Sequence, residues 1–141
     1  MKGIRFFAAW AALFGFAVAW NGVVHLVVLA DQNAAIAHLR RNGGAKTLAL
    51  SLLLTAAVCA VFVFGYARAT KSGSIREGVA FGGYFAVFAG LLVDFNQYLL
   101  YPLPGKLVVA WFLSGLAEFC LYGAIAAVVL RPLKRAPSPE R

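Results

Sequence analysis

Methionine occurs once in this chain, as Met1, cysteine twice, histidine twice and an acidic side chain only five times. Each scarcity removes a class of chemistry. A thioether copper site needs internal methionines, and the chain has none. A bis-histidine haem in a membrane needs two histidines within apolar segments, and only His25 lies in one. Cys59 and Cys120 stand singly inside apolar runs, so they read as small core residues rather than a disulfide or a metal pair. No glycine-rich phosphate loop and no paired-cysteine motif occurs. A serine nucleophile could find a histidine base only in His25, far from the serines in sequence. No catalytic constellation is complete, no cofactor or metal is expected, and the balance is against an enzyme.

Charge is scarce as well, at 13% of the 141 residues, while apolar residues make up 62%. A soluble domain is usually about half apolar, and the mean hydropathy of +0.82 lies well outside that class. The charges sit mainly in short stretches between long apolar runs, the pattern of a polytopic membrane protein. A net charge of +8 invites a nucleic-acid reading. The basic residues flank apolar runs without forming a continuous face, so anionic lipid headgroups are the expected counter-charge and nucleic acid is not.

Four apolar runs predict an all-α fold, a four-transmembrane-helix bundle over 1–132 with spans near 6–30, 46–67, 76–101 and 106–130. The first run begins after Lys2 and Arg5 and contains Ala17-Val18-Ala19, a signal-peptide pattern. Apolar character continues to Ala30, so a retained span is expected. A polar connection from 31 to 45 contains His38 and breaks at Asn42-Gly43-Gly44. In the second run Ser51, Thr55 and Cys59 recur every four positions, where hydroxyls can bond the carbonyl one turn back. Ser74 followed by Glu77 fits a capping box that starts the third helix near Ile75. Pro102-Leu103-Pro104-Gly105 must end it, since proline lacks an amide donor and disfavours helix before it. The tail 133–141 is proline-rich, basic and expected to be disordered.

With the amino terminus inside, cytoplasmic segments carry Lys2, Arg5, Arg68, Lys71, Arg76, Arg131, Lys134, Arg135 and Arg141. The other side carries Arg40, Arg41, Lys46 and Lys106. The excess of basic residues on the cytoplasmic side predicts an up-down-up-down bundle in the inner membrane with both termini in the cytoplasm.

The polar residues inside the spans are the candidate site. At 100° and 1.5 Å per residue, Gly83, Gly90, Asp94, Gln97 and Tyr101 share a stripe on the third helix, and Trp111, Ser114, Glu118 and Tyr122 share one on the fourth. Asn21 and His25 are neighbours one turn apart on the first. Glu118 falls near the midplane, with Asp94 roughly 6 Å and His25 roughly 10 Å toward the outer surface. A charge at the centre of a span costs about 2.5–3.5 kcal/mol on insertion scales, so both acids should face protein or water. Asn21, His25, Asp94, Gln97, Ser114 and Glu118 are therefore expected to wall one polar pocket. The plainer alternative is that they are hydrogen-bonding glue between helices, at about 0.6 kcal/mol per bond. Gly82, Ala86 and Gly90, continuing from Gly78, form a small-residue stripe suited to close helix packing within the bundle or between protomers, as do Ala11, Gly15 and Ala19. Trp10, Tyr66, Tyr101 and Trp111 are placed as interface anchors.

Gly78 to Gly83, Tyr101-Pro102-Leu103-Pro104-Gly105, Trp111, Gly115, Gly123 and Leu130-Arg131-Pro132 give the second half a pattern. In it the chain resembles small four-span bacterial inner-membrane proteins of unassigned activity. The resemblance implies a bacterial membrane protein and carries no site. An accessory subunit, in a homo-oligomer or with another membrane protein, is the leading expectation, because four spans without long domains offer mainly helix surfaces. A transporter or channel component binding a proton, a cation or a small solute through Asp94 and Glu118 is the alternative. The topology has a direct test. A cysteine at Ser138 should resist membrane-impermeant thiol reagents in intact cells while one at Asn42 reacts; labelling in the reverse sense would invert every depth given above.

Overall fold

A computed structural model describes residues 3–39 and 43–130. Arg40, Arg41, Asn42 and the tail over 133–141, all used in the topology and domain expectations, lie outside the described residues. The described residues are helical, without a strand. Helix α1 covers Gly3–Val23 and widens into a π turn over Val24–Val28. Short α2, Ala30–Ala35, and a 3-10 turn, Ala37–Leu39, follow. Helix α3 is Ala45–Ala69. Helix α4, Ile75–Gly90, passes through a second π turn, Leu91–Phe95, into α5, Asn96–Leu100. Helix α6 is Gly105–Leu130. Four stretches, Gly3–Val28, Ala45–Ala69, Ile75–Leu100 and Gly105–Leu130, are long and apolar enough to cross a membrane.

The turns are built from their own chemistry. Tyr101 stands extended at φ −129° and ψ 149°, as a residue before proline must. The chain then re-enters helix with Leu107 N–H and Val108 N–H donating to the Pro104 carbonyl. At the other connection Ser74 Oγ accepts from Glu77 N–H at 3.2 Å, one half of the capping box. The other half differs from the sequence expectation. The Glu77 carboxylate reaches past Ser74 and accepts from the amides of Lys71, Ser72 and Gly73 at 2.7–3.0 Å. Gly73, at φ +63°, makes the left-handed step that folds those amides over the helix start.

Helices α4 and α6 form the closest pair. A methyl group built on Gly78 would strike the Gly123 carbonyl, one on Gly82 the Phe119 carbonyl, and one on Gly90 the Phe112 ring. Backbone therefore lies against backbone, and the small-residue stripe is buried along its length with Ala86. The stripe on the first helix behaves otherwise. Ala11, Gly15 and Ala19 point outward with open space at Gly15, and Ala9, Leu13 and Ala17 are the residues that pack inward.

Two apolar clusters result. One gathers Leu13, Ala17, Phe62, Val63, Tyr66 and Tyr122 around a set of edge-to-face aromatic contacts centred on Phe62. Tyr66 is thus core, not an interface anchor: it is buried against Phe81. The other cluster, toward Pro102, packs Val24, Leu29 and Ile36 onto Leu103, Leu107 and Val108. Helix α3 joins only the first cluster. From Ala45 to Leu54 every residue is exposed, and Ser51 and Thr55 spend their hydroxyls on carbonyls four residues back, at 3.0 Å each.

The glycine contact can be broken by one side chain. Gly82→Leu would force α4 off α6 and should cost at least about 3 kcal/mol, the upper range for overpacking. Gly15→Leu, facing open space, should leave thermal unfolding in detergent unchanged. Equal melting of both variants and the parent would remove the backbone contact as a source of stability.

Candidate functional site

Between the two apolar clusters lies a polar layer, and it opens on a cavity of about 590 Å³. Along α1 the order is Ala17 in the first cluster, Asn21 in the polar layer, Val24 in the second. Along α6 it is Tyr122, then Glu118 and Ser114, then Val108. Glu118 is 8% exposed. Its Oε1 accepts from Asn21 Nδ2 at 2.8 Å and from Tyr122 OH at 2.7 Å. Asn21 Nδ2 also donates to the Ala17 carbonyl at 2.9 Å, which fixes the amide's direction. The carboxyl thereby stays out of lipid and receives two donors, the condition for keeping such a group inside a membrane bundle. Trp20 Nε1 donates to Ser114 Oγ at 3.2 Å, a second tie between α1 and α6 in the same layer.

Asp94 lies across the cavity in the π turn between α4 and α5. A repeat of four residues drifts about 40° per step around a helix of 3.6 residues per turn. The wider π turn takes back part of the drift accumulated from Gly78 to Gly90, so Asp94 stays on the α6 side. It is partly buried, and among the described residues no side chain or amide donates a hydrogen bond to its carboxylate. Trp111 Nε1, on the same cavity, is shielded and meets no acceptor among the described residues.

His25 occupies the other π turn. There Leu29 N–H bonds five residues back to the Val24 carbonyl at 2.8 Å, so it is drawn away from the His25 carbonyl. Asn33 Nδ2 supplies a donor to that carbonyl at 3.0 Å and lies 3.4 Å from His25 Nδ1. Asn33 is buried, and it pins α2 over this end of the bundle. Sequence reasoning left Asn33 in a polar connection. Its signal was faint: one amide eight residues beyond a histidine, in a segment too short to show periodicity.

The cavity lining includes all six polar residues singled out by helical spacing, namely Asn21, His25, Asp94, Gln97, Ser114 and Glu118. Gln97 is on its exposed rim, while Glu118 forms its floor. The rest of the wall is aromatic and small: Phe85, Phe88, Phe112 and Phe119 with Ala86, Ala89, Gly90 and Gly115 among them. Among the described residues no lysine or arginine lines it. Tyr122, the donor to Glu118, shares a helix face with it by spacing alone; Trp20, the donor to Ser114, carries no signal in the sequence. Among the described residues no three of His, Cys, Asp or Glu are grouped as a metal would require. Comparison of the chain with family models, curated proteins and solved structures finds no match.

The two bonds to Glu118 should be energetically coupled. Tyr122→Phe and Asn21→Val should each lower stability in detergent by about 0.6–1.7 kcal/mol, the measured range for interhelical bonds in a membrane. The double variant should lose more than the two single losses together, because either donor alone still serves Oε1 and losing both leaves a buried acceptor unpaired. Strict additivity would mean that the two bonds act independently.

Proposed function

We propose that this chain is a multi-pass protein of a bacterial inner membrane whose cavity binds a small solute bearing positive charge, as part of a transporter or channel. Its four spans run up-down-up-down, with both termini in the cytoplasm and the cavity in the outer half of the bilayer. Lys71 and Arg76 then meet anionic headgroups on the inner face. The observation that carries the reading is the meeting of both intramembrane acids on one cavity whose lining, among the described residues, holds no lysine or arginine. Hydrogen-bonding glue alone would account for Glu118, which has its two donors. It gives no role to Asp94, whose carboxylate faces the cavity lining without a donor among the described residues.

A second reading, an accessory subunit that meets another copy or another membrane protein, is supported by a different observation. The half of α3 from Ala45 to Leu54 is exposed all round, with Leu48, Leu53 and Leu54 more than 60% open. In a bilayer lipid can cover that surface, so it favours a protein partner less strongly than the cavity favours a ligand.

The test of the first reading uses neutral isosteres. Asp94→Asn and Glu118→Gln keep size and hydrogen-bonding capacity and remove the charge. In proteoliposomes, binding of methylammonium or of sodium should fall by at least about tenfold, which is 1.4 kcal/mol, while thermal unfolding stays near that of the parent. Undiminished binding in both variants would reduce the acids to structural residues.

A further inference from the structure

We propose, building on that reading, that the ligand is an amphiphilic organic cation and that it enters sideways from the hydrocarbon, between α3 and α4. Volume argues first. A space of about 590 Å³ falls in the range of roughly 300–1,000 Å³ that holds drug-sized molecules. A hard cation such as calcium asks for six to eight oxygens at about 2.3–2.6 Å. This cavity offers instead two carboxylates on different helices amid rings.

The lining sets the chemistry. Phe85, Phe88, Phe112, Phe119 and Trp111 supply aromatic faces, which attract organic cations and pack against their apolar parts. Glu118 and Asp94 supply counter-charge at two points of the same space. A zwitterionic lipid headgroup shares the ammonium but brings a phosphate, and among the described residues no lysine or arginine lines the cavity to receive it. The ligand is therefore a free cation with an apolar body.

The route follows from which walls are closed. Toward Pro102 the second apolar cluster, with Leu29, Ile36, Leu103 and Leu107 buried in it, covers the end of the bundle. Toward Gly73 the Phe62 cluster closes the bundle beneath Glu118. The side remains. Val58 on α3 and Phe88, Leu92 and Val93 along α4 and its π turn line the cavity while being 40–65% exposed. On this side the rim is thus apolar, with Gln97 its polar exception, it lies within two stretches long and apolar enough to span a membrane, and α3 leaves it uncovered beyond its contact with the Phe62 cluster. A molecule crossing such a rim has to be soluble in hydrocarbon, and one held by Asp94 and Glu118 has to be positive.

Tetraphenylphosphonium and tetraphenylborate, matched in shape and opposite in charge, separate the possibilities. The full chain in dodecyl maltoside, whose headgroup is uncharged, is titrated with each by calorimetry. Saturable binding of tetraphenylphosphonium is expected, with tetraphenylborate weaker by at least about tenfold. Asp94→Asn and Glu118→Gln should each weaken the cation by a similar factor. In bilayers Val58→Trp, on the exposed rim, should slow its association while leaving thermal unfolding unchanged.

Equal binding of the two ions overturns the proposal, as does a Kd for the cation that both isosteric variants leave unchanged. So does displacement of tetraphenylphosphonium by equimolar phosphatidylethanolamine, which would reassign the site to a lipid headgroup. Binding of sodium or methylammonium without tetraphenylphosphonium overturns the amphiphile and leaves the cation cavity standing. Failure of every cation to bind sinks both.

Discussion

Helices α4 and α6 lie so close that three glycines on their contact line, Gly78, Gly82 and Gly123, have no room for even a methyl group. In a membrane this proximity has to come from shape, because lipid tails are as apolar as leucine and give no hydrophobic reason for helices to meet. Small residues let the two backbones exchange dispersion contacts along much of α4, and that rigid pair sets the positions of the other helices. Gly90 closes onto Phe112 at the end of the contact, so the ring is held at the cavity wall. Beyond that point the second π turn begins and the cavity opens.

The polar layer answers a different constraint. An acid at the centre of a span must be given donors or be left beside water or ligand. Glu118 receives the first treatment, with Asn21 from α1 and Tyr122 one turn along α6 converging on a single oxygen. That convergence also orders the bundle, since it ties α1 to the α4–α6 pair at a depth where apolar packing alone would allow sliding. Asp94 receives the second treatment. The two acids are thus chemically unequal, one a fixed part of the wall and one available to whatever occupies the cavity.

Much of this is legible in the sequence because α-helical spacing is reliable where the helix is regular. Four long apolar runs mark four helices able to span a membrane, and the every-four recurrence of Gly78, Gly82, Ala86 and Gly90 marks a contact face. Ser51 and Thr55 bond one turn back as their spacing suggests. The grouping of Asn21, Ser114 and Glu118 follows from the same counting, since each sits in unbroken α-helix. What is not legible is anything that changes the count or the axis. The π turns at Val24–Val28 and Leu91–Phe95 carry no proline and no other local mark. The divergence of α3 is hidden too, because Leu48 to Leu54 reads equally well as a packed or a lipid-facing run. For the same reason Tyr66 was misplaced, and the outward direction of the face bearing Gly15 could not be told from an inward one: hydropathy in a membrane protein does not distinguish inside from outside.

The two π turns bear most directly on what the bundle is for. A π turn is a rare, loosened stretch of helix, and in hydrocarbon any carbonyl it leaves unserved is costly. The described residues hold two, in different apolar stretches, and both carry polar residues that line the same cavity: His25 in one, Asp94 in the other. The first is supported by a buried side chain from outside its own helix, the Asn33 amide on the His25 carbonyl. Regular α-helix through both segments would satisfy the backbone with less help. A bundle selected for stability alone has no use for either turn. Their joint position at the cavity makes sense where the walls must stand apart and present an acid to the space between them.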